Sequence, residues 1–314
     1  MKDEHARTSA TLVSQSVVTD DGRTICFVDG GDPDGFPVIG LHGTRGCRLS
    51  RWPDDSLYAD AGIRYITSDR AGYRRSTRHR DRRVADEASD VRTVADVLGL
   101  DLFSIVGGSG GGPHALACAA LLGDRVVRVA CQSSLAPLGP DGLTRKQWLH
   151  GMDPEIAAEL GWADAGEEVL TVEMERAQRL MEERIYDNPG AMLGQEANAT
   201  DVGFLERPET IEAFSLIIPE QARHGVSGSV DDTLAFVRPW GFDLRTIRVP
   251  VLITFGDEDT SCPAAHGRFL AASVCGAVVI ETKGGGHFAA DPTNEIREIH
   301  LWLSTGELPG PRAP

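Results

Sequence analysis

The twenty-one residues from Leu102 to Leu122, LFSIVGGSGGGPHALACAALL, constrain what this chain can fold into more than any other stretch. Leu102 to Val106 is an apolar run of strand length and strand-like composition. From Pro113 to Leu122 the residues are small, apolar and rich in alanine and leucine, which predicts a helix. Between them lies Gly107-Gly108-Ser109-Gly110-Gly111, a complete G-x-S-x-G. A strand can turn this sharply into a helix only if the residues two before and two after the bend are tiny, and Gly107 and Gly111 meet that demand. In this form of the motif the serine is held in a strained backbone conformation that lifts its hydroxyl above the sheet. The amide of Gly110 would then face a developing oxyanion. Ser109 is therefore a candidate nucleophile, and the rest of the chain must supply its partners.

The flanking sequence has a regular rhythm. Thr11 to Val18 and Thr24 to Asp29 read as strands joined by the turn signal Asp20-Asp21-Gly22. Pro37 to Leu41 and Ile63 to Thr67 are short apolar strands, with a helical stretch from Trp52 to Gly62 between them. Val84, Ala88, Val91, Ala95 and Leu98 recur at helical spacing. After Val126 to Cys131, another strand, the alternation stops until Val251 to Phe255. A helix from Ala264 to Ala272, a strand from Val278 to Glu281 and a final helix from about Pro292 to Leu303 close the chain. Strands and helices alternating in this way form a mostly parallel sheet with helices on both faces, here of about eight strands. The interval from Leu135 to Asp243 is acidic and helix-like. Its strongest segment is Glu167 to Ile185, whose apolar positions are Val169, Val172, Met174, Leu180 and Met181 and whose glutamates suit a solvated face. Pro137, Pro140, Pro154, Pro189, Pro208, Pro219 and Pro239 are expected to break the interval into pieces. This predicts a core of residues 1–134 and 244–314 with an inserted helical cap at 135–243.

A serine hydroxyl needs a base to remove its proton, and the base needs an acid to hold its tautomer and stabilise its charge. Both follow the elbow, each after a strand: Asp257 and Asp259 after Val251 to Phe255, and His287 after Val278 to Glu281. The order is serine, aspartate, histidine, with all three at carboxyl ends of strands, where open parallel sheets build their sites.

These pieces together resemble the α/β-hydrolase superfamily, on the branch of serine esterases and proline iminopeptidases with a helical cap. The matching motifs are His42-Gly43-Thr44-Arg45-Gly46 (HGxxG), Asp69-Arg70-Ala71-Gly72 to Ser76 (DRxGxxxS), Gly107 to Gly111, Gly256-x-x-Asp259 and Gly286-His287. The resemblance covers nearly all of the chain outside the cap. It implies Ser109 as nucleophile, Asp259 as acid, His287 as base and the amides of Gly110 and Thr44 as oxyanion hole. Asp259 is preferred to Asp257 because the family's acid stands three residues after Gly256. The family's third motif more often reads DRxGxG, and Arg74 stands at its last glycine, close to the expected site entrance. His42, His114 and Asp69 read as structural residues.

Composition limits the alternatives. A net charge of −16 in 314 residues argues against non-specific binding to nucleic acid or anionic membranes and favours solubility, and the expected partner is a small-molecule substrate. The N-terminal residues lack the apolar core of a secretory signal, and no run approaches membrane-spanning length, so a cytoplasmic location is expected. Cys26, Cys47, Cys118, Cys131, Cys262 and Cys275 show no metal-ligand spacing. No cofactor or metal is expected, and oligomeric state stays open. Gly110-x-Gly112-x-x-Ala115 also fits a dinucleotide-binding turn, but the acid that turn needs near position 132 is replaced by Gln132. The expected reaction is hydrolysis of a small or medium carboxylic ester or lactone through an acyl-enzyme. The alternatives are a proline-iminopeptidase-like aminopeptidase, whose elbow usually carries tryptophan where this chain has Gly110, a hydrolase of carbon–carbon bonds, and a non-catalytic ligand-binding member of the fold.

Overall fold

The computed structural model describes residues 13–187 and 198–308. Eight strands lie in one sheet: β1 (Ser14–Val18), β2 (Thr24–Gly31), β3 (Phe36–Leu41), β4 (Ile63–Ser68), β5 (Phe103–Gly108), β6 (Val126–Gln132), β7 (Val251–Gly256) and β8 (Val278–Thr282). Their spatial order is β1-β2-β4-β3-β5-β6-β7-β8; β1–β2 and β2–β4 pair antiparallel and every later pair is parallel.

Neighbouring apolar residues on the central strands go to opposite faces, as the period of two requires. Ile39, Ile66, Ile105, Val129 and Ile253 pack on one side; Val38, Tyr65, Val106, Ala130 and Leu252 pack on the other. The second side is covered by α1 (Ser56–Ala59) and by α11 (Pro292–Thr305), through Leu57, Tyr58, Ile299, Trp302 and Leu303. The first is covered by α2 (Glu87–Val97), α3 (Gly112–Leu121) and α10 (Ala264–Ser273). Fully burying each Val, Leu or Ile stabilises by about 1.5–3 kcal/mol, so these two layers are the main source of stability. The helix expected over Trp52 to Gly62 shrinks to the single turn α1, because Pro53 follows Trp52 and Arg51 is used elsewhere, donating to the Tyr65 carbonyl and pairing with Asp55.

Between β6 and β7 the described residues form no strand. They form α4 (Arg145–Leu149), α5 (Pro154–Ala165), α6 (Glu167–Asp187), α7 (Ala199–Leu205), α8 (Pro208–His224) and α9 (Ser227–Phe236). Pro154 and Pro208 sit at helix starts, where the missing N–H costs nothing. Pro219, expected to break a helix, lies inside α8. Phe214 and Ile217 in the turns before it pack inward, and Glu220 just after it pairs with Arg48 of the core, so both sides of the weakened turn are tied down. Pro189 falls outside the described residues.

The glutamate-rich helix α6 is not simply a solvated face. Leu170 and Met174 are buried against Ala163, Val226, Val230 and Leu234, while Val169 and Val172 face solvent. Helix α9 packs into the core: nine of its ten residues are buried, and its Asp232 is engaged by Arg70, Tyr73 and Arg82.

Candidate active site

The strand order reverses around β3, which lies between β4 and β5, and the loop after β3 therefore emerges beside the turn after β5. Leu41 is in register with Gly107, which sets His42-Gly43-Thr44-Arg45-Gly46 against Ser109. Ser109 is the bend itself, at φ +52°, in the left-handed region that residues other than glycine, asparagine and aspartate rarely enter. The flanking glycines are sterically obligatory. A Cβ on Gly107 would collide with the Gly111 carbonyl, and one on Gly110 would collide with the Thr44 hydroxyl and lie 3.0 Å from the Thr44 amide nitrogen. The Gly110 and Thr44 backbones thus stand face to face across a gap with no room for a side chain.

His287 lies in the loop after β8, with its Nδ1 2.9 Å from Oδ2 of Asp259 in the loop after β7. Both residues are buried or nearly so. The other Asp259 oxygen accepts the amides of Ser261 (2.7 Å) and Cys262 (2.8 Å), which fixes the carboxylate plane. Burial works to lower the His287 pKa, but the adjoining Asp259 carboxylate, aided by Asp201, outweighs it and raises the value above the ordinary range. Asp257 is turned away: it takes the Lys283 ammonium at 2.7 Å and the Gly284 amide at 2.6 Å. Cys262, which the sequence did not single out, borders the same cavity as Ser109, and burial pushes its thiol well above its usual pKa.

The residues read as structural are buried among polar partners. His42 donates from Nδ1 to the Gly43 carbonyl (2.7 Å) and accepts the Arg70 amide at Nε2 (3.3 Å); burial holds its pKa far below the usual value, so it is neutral. His114 packs against Asp232, 3.1 Å from its Oδ1, and burial lowers it to about 4. Asp69 accepts the amide of Arg48 at 2.6 Å and its guanidinium at 3.0 Å. Arg74, expected near the entrance, instead donates to the Arg45 and Gly46 carbonyls and braces the loop after β3 from behind. Its own φ is +45°, which explains why glycine suits that position of the motif. No hydrophobic or charge pattern could have revealed this, because the partners are backbone atoms of a distant loop.

Ser109, Gly110, Thr44 and His287 border one cavity of about 950 Å³. Its walls are mostly apolar and aromatic, with Trp148, Trp162, Phe204, Phe214, Phe236 and Phe288 among them. Helices α5 and α6 add Glu155, Glu159, Glu173 and Arg176, and Glu159 forms an ion pair with Arg45 of the loop after β3. Among the described residues no group of three or more His, Cys, Asp or Glu is arranged to hold a metal ion, and no helix is long and apolar enough to cross a membrane.

An eight-stranded, mostly parallel sheet with helices on both faces and a strand–serine–helix elbow at its switch point defines the α/β-hydrolase class. Residues 37–292 match the family model described as alpha/beta hydrolase fold, and the chain belongs to that family. It is 36% identical over 112 residues to a proline iminopeptidase of Xanthomonas citri, a match covering 33% of this chain and 34% of that protein; the aligned part is thus about a third of the relative's length. Among solved structures it is similar to an esterase from Rhodococcus sp. (TM-score 0.63, 20% identity, 93% of this chain and 98% of the other). It is similarly close to an enol-lactonase from Burkholderia xenovorans (TM-score 0.62, 19% identity, 93% and 98%). At that level of identity these two likenesses concern the fold.

Proposed function

We propose that the protein is a cofactor-independent serine hydrolase that cleaves a small or medium carboxylic ester or lactone. The observation that carries this reading is the 2.9 Å contact of Asp259 with His287, whose ring borders the same cavity as a serine bent to φ +52°. In the proposed mechanism Asp259 keeps the proton of His287 on Nδ1, leaving Nε2 free to take the proton of Ser109 as its oxygen attacks the carbonyl. Gly110 and Thr44 amides stabilise the oxyanion, a contribution of about 3–4 kcal/mol per donor in comparable sites. Protonated His287 then gives its proton to the leaving alcohol, and in a second half-reaction activates the water that releases the acid.

Residues 135–243 are read as a cap, since their helices supply much of the cavity wall opposite the sheet. The cavity's size and apolar walls suit a medium-sized, mostly apolar substrate with few polar groups. The presence of an esterase and an enol-lactonase among the fold's neighbours is consistent with this. A second reading, aminopeptidase activity on an N-terminal residue, draws on the acidic residues of the cavity wall, where an incoming ammonium group would compete with Arg45 for Glu159 and with Arg176 for Glu173.

Labelling with a fluorophosphonate tests the first step. Wild type should be modified at Ser109 and Ser109→Ala should not; folded wild type that stays unlabelled would refute the reading. Turnover of p-nitrophenyl esters against prolyl-arylamides then separates esterase from peptidase.

A further inference from the structure

Helix α7 of the insertion grips the loop that carries His287. Asp201, only 2% exposed, accepts the His287 amide at Oδ2 (3.0 Å) and the Phe288 amide at Oδ1 (2.7 Å). Both carboxylate oxygens are thus spent on consecutive backbone N–H groups of one turn. The loop is shaped to receive them: a Cβ on Gly286 would run into Oδ2 of Asp201 and lie 2.5 Å from Oδ1 of Asn198. Around this contact Asn198 reaches the Gly284 carbonyl (3.4 Å) and Arg207 the Ala290 carbonyl (3.2 Å). The rings of Phe204 and Phe288 stack at 4.2 Å, 7° from parallel. Asn198 in turn caps α7 by accepting the Asp201 amide at 3.0 Å, so Asp201 itself is held.

We infer that Asp201 is a positioning residue for the base: it fixes the backbone of His287 and places a negative charge behind the imidazole. This rests on His287 acting as the base of the proposed reaction. A carboxylate clamped between two amides is a rigid, charge-assisted bracket, whereas a surface loop left to itself samples orientations that misplace a catalytic ring. Misplacement of about 1 Å can cost about 10²-fold in rate. Around His287, Asp259 meets the ring at Nδ1, Phe288 packs edge-on against it, Asp201 from α7 holds its backbone amide, and Ser109 and Cys262 border the same cavity. Asp259 and Asp201 are the charged members, and both favour the protonated imidazole.

The test compares wild type with Asp201→Asn on one p-nitrophenyl ester, normalising rates to sites titrated by fluorophosphonate. Loss of the charge should lower kcat per titrated site by about 10–100-fold with little change in KM. The acid limb of the kcat/KM profile should move to lower pH, because His287 loses a charge that favours its protonated form. A purely structural role would reduce the number of titrated sites and leave both the limb and kcat per site in place; that result overturns the inference. If Asp201→Asn does not fold, Asp201→Glu carries the test: the charge stays, so the limb should not move, while the longer side chain displaces the loop and lowers kcat. Wild-type kcat in that variant overturns the inference. Wild type that is not labelled at all refutes the hydrolase reading instead, so the two failures are distinguishable.

Discussion

Arg70 and Asp232 are joined by a 2.5 Å ion pair in which neither side chain has any solvent exposure. Arg70 follows β4 and also donates to the His42 carbonyl, while Asp232 comes from α9 and also receives Tyr73 (2.7 Å), Arg82 (2.6 Å) and His114 (3.1 Å). The pair therefore links α9 to the loop beside Ser109. Removing Asp232 would leave two guanidinium groups buried without their shared counter-charge.

Asp232→Ala should accordingly destabilise the fold by about 3–5 kcal/mol, the usual consequence of breaking a buried pair from one side. Burial works to raise the pKa of Asp232, but Arg70 and Arg82 outweigh it and hold the value well below 3.8. Its contribution is therefore present above about pH 4 and lost only as pH falls through the depressed value. Urea titration at neutral pH measures the difference, and a loss below 1 kcal/mol would contradict it.

The two aspartates after β7 should separate cleanly. Asp259→Asn should lower kcat by about 10³–10⁴-fold, because the amide no longer fixes the His287 tautomer. Asp257→Asn, which gives up only the exposed Lys283 and the Gly284 amide, should leave kcat unchanged. Steady-state kinetics on the same ester decide, and a larger loss for Asp257→Asn would reverse the assignment.

Gly110→Ala should cost at least about 10²-fold in kcat with a much smaller effect on KM, because its Cβ would push Thr44 away and pull two oxyanion donors out of line. Fluorophosphonate labelling should slow in parallel, and the fold should lose about 1–3 kcal/mol of stability, the usual cost of forcing a methyl group into a filled space. Unchanged turnover would remove Gly110 and Thr44 from the proposed oxyanion hole.

Glu87→Gln should stabilise the protein in alkaline solution. Burial, with Asp90 nearby, raises the Glu87 pKa to about 8, and its Oε2 has no hydrogen-bond partner. Below pH 4.5 the carboxyl is protonated in both folded and unfolded chains. Between 4.5 and about 8 only the unfolded chain ionises, so wild type loses stability as pH rises, and the loss levels off above 8. The advantage of the glutamine variant should grow over that interval. Thermal midpoints of the two proteins at pH 5 and pH 8.5 test it, and an equal gap at both would contradict it.

Local chemistry determined a good deal of this molecule. Apolar runs of strand length alternating with helical spacing specify a parallel sheet, because period and length act within a few residues of each other. The elbow was equally legible, since only glycine tolerates the close approach at 107 and 111. What the sequence alone offered for the site was an order of candidates, Ser109, then Asp257 or Asp259, then His287. Which aspartate meets the imidazole depends on how two loops after β7 and β8 fold against each other, and only the tertiary structure places Asp259 there and Asp257 on Lys283. The helices between β6 and β7 were the least legible. Their acidic faces suggested solvent, yet Leu170 and Met174 pack inward, Asp232 enters the core, and Asp201 clamps the His287 loop. A buried carboxylate looks the same in sequence as an exposed one. Its burial is decided by partners 86 to 162 residues away along the chain, Arg70 for Asp232 and the His287 and Phe288 amides for Asp201.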